Sequence, residues 1–458
     1  MTEDFHEQGG AATMDPSAVR RWLLSKYVMF QSGERRMLSR RRKAEKRRNS
    51  ESRPHVVEYF HQVDDAYSHL AAQMLKRLTE RYDVELQCYL VPGPSGKNVY
   101  DAELLLQLAR HDSKLIAAQY GLTMPGTDEP PTPENTATAL SILASLNKHD
   151  LTQQIADVSA AVWMGDVARL DAIADDAGRA SEAEVAARLR EGKDRREALK
   201  HYSGAMFFYE GEWYWGVDRL HYLEARLAEL GLDRFAGDEP LAPCPAVDLG
   251  DSTDCSELTL EFYPSIRSPY SAIVFDETIA LAENAGVALK VRPVLPMVMR
   301  GVPATLEKGM YIFFDTAREA RRRGVPYGRF FDPIGDPVRR CYSLYPWAES
   351  LGRGNALLSS FLRHAFVLGV NTNTDSGLQR VVESAGLDWG EAKTHIGNPD
   401  WQGLIEDNRL AMRERGLWGV PSYRLLVASG EPLLEVWGQD RLWLVAQEIR
   451  RFKGRSSS

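Results

Sequence analysis

The chain has 458 residues, of which 44% are hydrophobic, 26% charged and 9% aromatic, with a mean hydropathy of -0.36. These values fit a soluble globular protein and exclude a collagenous, disordered or multi-span membrane chain. At about 150 residues per domain the length predicts two to four domains. The net charge of -8 is unevenly spread: residues 1–54 hold 13 Lys and Arg against 7 Asp and Glu, a surplus of +6 that leaves -14 for the rest. No run of about 18 apolar residues offers a membrane span, and the acidic start lacks the basic and apolar regions of a secretory signal, so a cytoplasmic protein is expected. The four cysteines, Cys88, Cys244, Cys255 and Cys341, include no C-x-x-C pair. Neither a disulfide framework nor a metal site is expected.

Residues 1–54 form a basic helical arm. Asp15 and Pro16 read as a helix cap and first-turn proline, and Val19, Trp22, Leu23, Tyr27 and Phe30 fall on one helical face. A second helix carries Arg35, Arg36, Arg40, Arg41, Arg42, Lys43, Lys46, Arg47 and Arg48. Such a run can meet nucleic acid or an acidic lipid surface, although it is more often a solvated face or a mobile arm. The lack of interleaved aromatics weighs against nucleic acid. A protein partner held by the arm or by the first domain stays open.

Past Pro54 the pattern predicts a strand over 55–60, a helix over about 67–82 and a strand over 84–90. The same grammar returns at 258–263, from about Ser268, and at 287–292. One offset of 203 residues pairs Glu58 with Glu261, Tyr67-Ser68 with Tyr270-Ser271, Val84 with Val287 and Leu86 with Leu289, which marks an internal repeat. The ends repeat too: Trp215-Gly-Val-Asp-Arg-Leu220 matches Trp437-Gly-Gln-Asp-Arg-Leu442. Each is preceded by a hairpin, turning at Glu210-Gly211 and near Ser429-Gly430, and followed by an amphipathic helix. A Pro-, Gly- and Asp-rich stretch separates the copies. The expected domains are therefore 1–54, the arm; 55–235, the first copy; 236–256, a linker; and 257–453, the second copy. Strand–helix–strand, a helical insertion, then a hairpin and a closing helix give an α/β fold with a mixed sheet, a thioredoxin-like architecture present in tandem.

Ser268-Pro269-Tyr270-Ser271 stands where the first strand of the second copy turns into its helix, and places a hydroxyl at the positive end of that helix. By itself this is an ordinary helix start. Trp418-Gly-Val-Pro-Ser-Tyr423 enters the hairpin strand; Pro421 cannot donate to the ladder and marks a strand start or edge, leaving the Val420 backbone able to pair with an extended peptide.

Together with Trp437-Gly-Gln-Asp-Arg-Leu442, these motifs resemble the DsbA-like thioredoxin-fold proteins typified by 2-hydroxychromene-2-carboxylate isomerase and kappa-class glutathione transferase. The resemblance covers about 258–452 well and 55–235 weakly. It implies a glutathione site in which Ser268 hydrogen-bonds the sulfur and favours the thiolate. Val420, before a cis-Pro421, would pair with the cysteinyl backbone. Gln439 and Asp440 would hold the γ-glutamyl end, and Lys308 a carboxylate. The implied activity is a glutathione-dependent isomerisation or transfer on a small conjugated, aromatic-derived carboxylate. The alternatives are a non-catalytic interaction protein and a DsbA-type thiol oxidoreductase. A homodimer, as in related proteins, stays open. In the first copy Asp65-Ala66 replaces Ser268-Pro269 and Gly204-Ala205 replaces Val420-Pro421, so that copy is expected to be degenerate.

Overall fold

A computed structural model of the chain describes residues 15–125, 129–248, 255–302 and 304–456. Residues 1–14 of the predicted arm and 249–254 of the predicted linker lie outside them. In chain order the elements are α1 (Ala18–Ser32), α2 (Glu34–Ser50), β1 (Val56–His61), α3 (Ala66–Ala72), α4 (Leu75–Arg81) and β2 (Glu85–Leu90). A helical stretch follows: α5 (Ala102–Ala117), α6 (Pro133–Ser145), α7 (Lys148–Met164), α8 (Val167–Ala177) and α9 (Glu182–Ala198). The hairpin β3 (Met206–Tyr209) and β4 (Glu212–Trp215) and helix α10 (Leu220–Glu229) end the first half. The second half runs β5 (Leu258–Tyr263), α11 (Pro269–Ala285), β6 (Ala288–Val291), α12 (Leu306–Arg323), α13 (Asp336–Ser350), α14 (Gly354–Arg363), α15 (Asp375–Ser384), α16 (Trp389–Ala392) and α17 (Trp401–Glu414). It closes with β7 (Ser422–Val427), β8 (Pro432–Trp437) and α18 (Leu442–Ser456).

Two four-stranded mixed sheets result, in the orders β2-β1-β3-β4 and β6-β5-β7-β8. In each, the first pair is parallel, joined through a helix, and the other two pairs are antiparallel. The strands carry the core: Val57, Tyr59 and Phe60 in one sheet, and Leu258, Leu260 and Phe262 in the other, are completely buried. The first hairpin turns at Glu210 and Gly211, both at positive φ (40° and 88°), as a tight two-residue turn requires. The helix predicted over 67–82 is broken into α3 and α4. The break lets Met74 and Leu75 both bury fully, while Gln73 beside it exchanges hydrogen bonds with the Thr123 backbone.

The chain forms two compact units, one of the described residues up to Met37 with Ala246–Ser458, the other Leu38–Pro245. Helix α1 thus belongs with the second half, and most of α2 with the first, where Arg41 holds Glu212 and Arg53 holds Glu210. Ser17, not Asp15, caps α1 by accepting from the Arg20 N–H. Asp15 instead caps another helix, accepting from the Asp336 N–H at 2.6 Å and pairing with Arg339 at the start of α13. Among the described residues no helix is long and apolar enough to cross a membrane.

Candidate functional site

Strand β5 ends at Tyr263, and five residues later Ser268 caps α11. Its backbone is extended (φ -82°, ψ 118°), its Oγ accepts from the Ser271 N–H at 3.2 Å, and Pro269 fills the first turn. An Oγ that accepts from the backbone still has its own hydrogen to donate outward. The loop before it is pinned from both sides. Arg267 makes a two-pronged contact with Asp332 (2.9 and 3.0 Å), and the Ser265 N–H donates to Ser271 Oγ. The Tyr270 hydroxyl donates to Asp315 on α12 at 2.8 Å, so the insertion helix is tied to the first turn of α11.

The pairing of Tyr263 with Ser422, and of Ser422 with Trp437, brings three loops to one end of the sheet. One is the Ser268 loop. The second contains the cis Val420–Pro421 bond. The third is the short turn Gln439–Arg441, joined to the second by the Gly438 N–H donating to the Pro421 carbonyl at 2.9 Å. Lys308, in the first turn of α12, reaches the same end: its Nζ lies 5.5 Å from the ring of Trp418, which meets Trp437 edge-on at 5.8 Å. Burial holds the Lys308 ammonium below its usual pKa.

Two of the predicted residues are already engaged. Gln439 is buried; its amide nitrogen donates to Glu319, and its side-chain and backbone oxygens accept from Arg323 at 2.8 and 3.0 Å. Asp440 is partly exposed and lies 3.6 Å from Arg441. Arg323, at the last turn of α12, also pairs with Glu277 of α11, so it ties three elements together around the Gln439 turn. Sequence reading missed Arg267 and Arg323; an arginine adjoining the capping serine and one ending the insertion helix were the available signals.

The corresponding end of the first sheet is built differently. Asp65 caps α3, accepting from the Ser68 N–H (2.9 Å) and Oγ (2.7 Å), and burial pushes its pKa up to about 6. Ala205 occupies the place of Pro421: its carbonyl accepts from the Gly216 N–H at 2.7 Å, as Pro421 accepts from Gly438. Ala205 sits at φ 54°. Gln62 closes against Gly204 before it, where an added Cβ would stand 2.7 Å from Gln62 Cβ. Asp218, the counterpart of Asp440, accepts from the Tyr120 hydroxyl at 3.1 Å.

None of the four cysteines forms a disulfide, and Cys88, Cys255 and Cys341 are buried. Burial pushes the Cys88 thiol up to about 12 and Cys341 higher still, the opposite of what a reactive thiolate needs.

Residues 259–450 match the family model of the DSBA-like thioredoxin domain. No curated protein matches the chain. Among solved structures, the chain is similar to a 2-hydroxychromene-2-carboxylate isomerase at 19% identity, over 43% of this chain and 98% of that one, with a TM-score of 0.37. It is similar to the cytosolic disulfide reductase DsbM from Pseudomonas aeruginosa at 18% identity, over 43% of this chain and 98% of that one, TM-score 0.36; DsbM has also been solved with GSH. A probable DsbA oxidoreductase from Streptomyces coelicolor matches at 18% identity, over 42% of this chain and 90% of that one, TM-score 0.33. Over residues 259–450 the chain is thus similar to the DSBA-like thioredoxin domain.

Proposed function

We propose that the second half binds glutathione at the end of its sheet and uses it to isomerise, or to conjugate, a small unsaturated carboxylate in the cytoplasm, while the first half is a degenerate copy of the same domain. The observation that carries this reading is the convergence of Ser268, the Val420–Pro421 backbone and a desolvated Lys308 on one sheet end, in a domain whose own thiols are buried. Bound glutathione supplies a thiol, the nucleophile that the chain lacks at this place.

The residues fit the tripeptide in three ways. The Ser268 hydroxyl, already accepting from Ser271, donates toward the sulfur, and the first turn of α11 adds the positive end of its dipole, so both lower the thiol pKa. The backbone at Val420, just ahead of strand β7, would pair with the cysteinyl peptide as an added strand would. Lys308 offers an ammonium to a carboxylate of the tripeptide or the substrate, over a Trp418 face that shields the pair from water. Gln439 acts through its neighbours: it holds Arg323 and Glu319 and so positions the turn that presents Asp440 to the γ-glutamyl ammonium.

Isothermal titration of the full chain with glutathione tests the reading. Binding is expected, weakened several-fold or more by Ser268→Ala and by Lys308→Met; the absence of binding to the parent chain would sink it. Engagement of the Gln439 side chain within the protein favours one other reading, a domain that keeps the scaffold as a binding module. Glutathione binding without turnover across a panel of conjugated aryl carboxylates would select it. The thiol oxidoreductase reading has the buried cysteines against it; insulin reduction that Cys341→Ser abolishes would restore it.

A further inference from the structure

The buried face of helix α1 is mainly polar and its exposed face mainly apolar. It buries Arg21, Ser25, Val28 and Ser32, whereas Trp22, Leu23, Leu24, Tyr27 and Phe30 are 46–59% exposed and Val19 is 67% exposed. The inward face is fixed by hydrogen bonds. Arg21 donates to the carbonyls of Asp332 (2.6 Å) and Ile334 (2.7 Å), and Ser25 Oγ accepts from the Asp332 N–H at 3.0 Å. Rotating the helix to hide its tryptophan and leucines would break all three. The apolar face is therefore held outward, a contiguous patch of a kind that soluble proteins rarely leave uncovered without a partner.

The charges around the patch indicate what covers it. Helix α1 contains no acidic residue. Arg20 and Lys26 are exposed beside the apolar row. Lys26 Nζ lies 6.0 Å from the Trp22 ring and the Arg36 guanidinium 4.9 Å from the Phe30 ring, so cations ride on the rim of the aromatic surface. In sequence the chain continues through exposed Arg35, Arg42, Lys43, Lys46 and Arg47, with Glu34 and Glu45 the only acids between Asp15 and Glu51. A second copy of this face would set Arg20 and Lys26 against themselves with no carboxylate on either helix, a poor self-complementary contact. Trp, Tyr, Phe and Leu between Lys and Arg are the make-up of a helix lying in the plane of an anionic bilayer.

We propose that α1 is an interfacial helix that docks the protein on an anionic lipid surface. Val19, Trp22, Leu23, Leu24, Tyr27 and Phe30 enter the boundary between headgroups and acyl chains, and Arg20 and Lys26 extend their stems along the apolar surface to reach the headgroups. Because Arg21 and Ser25 hold the opposite face, the helix inserts without leaving the protein. Attraction of the basic residues to acidic headgroups makes the docking depend on lipid charge and on salt.

Sedimentation of the full chain with vesicles tests this, comparing phosphatidylcholine alone with phosphatidylcholine plus phosphatidylglycerol. The chain is expected to pellet with the anionic vesicles only, less as salt rises. Trp22→Ser, Leu23→Ser and Phe30→Ser combined should cut the bound fraction roughly tenfold or more while leaving the thermal transition in place. Arg20→Glu with Lys26→Glu should remove the preference for anionic lipid and serves if the triple variant folds poorly. Failure to bind anionic vesicles, or binding that both variants leave unchanged, would overturn the proposal. So would a dimer in light scattering that the triple variant dissociates, since it would give the face to a second copy.

Discussion

Asp65 and Ser268 hold the same place in the two halves, capping the helix that follows the first strand, yet they leave opposite surroundings. Ser268 satisfies one N–H and keeps a hydrogen to offer. Asp65 takes both the N–H and the hydroxyl of Ser68 and carries a carboxyl whose pKa is pushed up to about 6. Around them two hydrogen bonds correspond. Tyr67 donates to Asp112 as Tyr270 donates to Asp315, and Gln62 donates its N–H to Ser68 Oγ as Ser265 does to Ser271. What differs is what stands at the sheet end: Gln62 against Gly204 in the first half, Ser268 and a cis proline in the second. The two halves thus share these hydrogen bonds while differing in the residues at the end of the sheet.

The largest expected difference between the halves is their response to acid. The first holds His61, His69 and His201 buried, with burial lowering their pKa values to about 3, 4 and 3. A histidine whose folded pKa is depressed contributes stability above its unfolded value near 6.5 and loses it as pH falls toward the folded value. Each costs about 1.4 kcal/mol per pH unit over that window. The second half has one histidine of this kind, His364. Calorimetry from pH 7 to 4 should thus show the first half melting earlier as pH falls; a single transition moving as one would refute the contrast.

The strand carboxylates sharpen the same comparison. Glu261 is buried among Arg292 (2.7 Å) and Arg424 (2.6 Å). Burial raises its pKa, but the hydrogen bonds and positive charges around it outweigh that and hold it below the usual value. Its contribution is present above about 4.5 and fades below. Glu58 pairs instead with Arg195, whose side chain is 43% exposed. Glu261→Ala takes one of two carboxylates from buried Arg424 and should cost about 3 kcal/mol. Glu58→Ala lets Arg195 turn to water and should cost about 1 kcal/mol or less. Urea melts of both variants measure the difference; equal costs would contradict the assignment. Arg21→Ala, which strips donors from two carbonyls of the second unit, should fall between them at about 2 kcal/mol.

The strands and the hairpins were legible because alternating apolar residues and turn pairs such as Glu210-Gly211 act locally. The Ser268 cap was legible for the same reason: Ser-Pro specifies a helix start without help from afar. What was hidden depends on long-range partners. The apolar row of α1 reads only as one helical face, and the buried Arg21 clamp on Asp332 and Ile334 turns it outward. Asp15 reads as the cap of its own helix but caps α13, more than 300 positions away. The commitment of Gln439 to Arg323 could not be read from a motif that the first half carries as valine, Val217.

The finest test exchanges the two caps. At neutral pH the raised pKa of Asp65 means that its ionised form is held against the preference of the fold, so Asp65→Asn, which can still accept from Ser68, should stabilise the first half by about 1–2 kcal/mol at pH 7. The sign follows from linkage. A carboxyl with a folded pKa near 6 and an unfolded pKa near 3.9 costs stability above pH 6 and returns it as pH falls, so the advantage of the variant should vanish by about pH 4. Comparing variant and parent at each pH cancels the histidine background. The reverse exchange, Ser268→Asp, keeps the cap of α11 and should alter stability by less than about 1 kcal/mol, because the carboxylate still accepts from Ser271 at the positive end of the helix. It should nevertheless abolish glutathione binding in the titration, since a carboxylate at this place repels a thiolate and has no hydrogen to donate. If Ser268→Asp bound glutathione as well as the parent chain does, the serine would be a cap and nothing more, and the distinction between the two halves would rest on Gln62 and Pro421 alone.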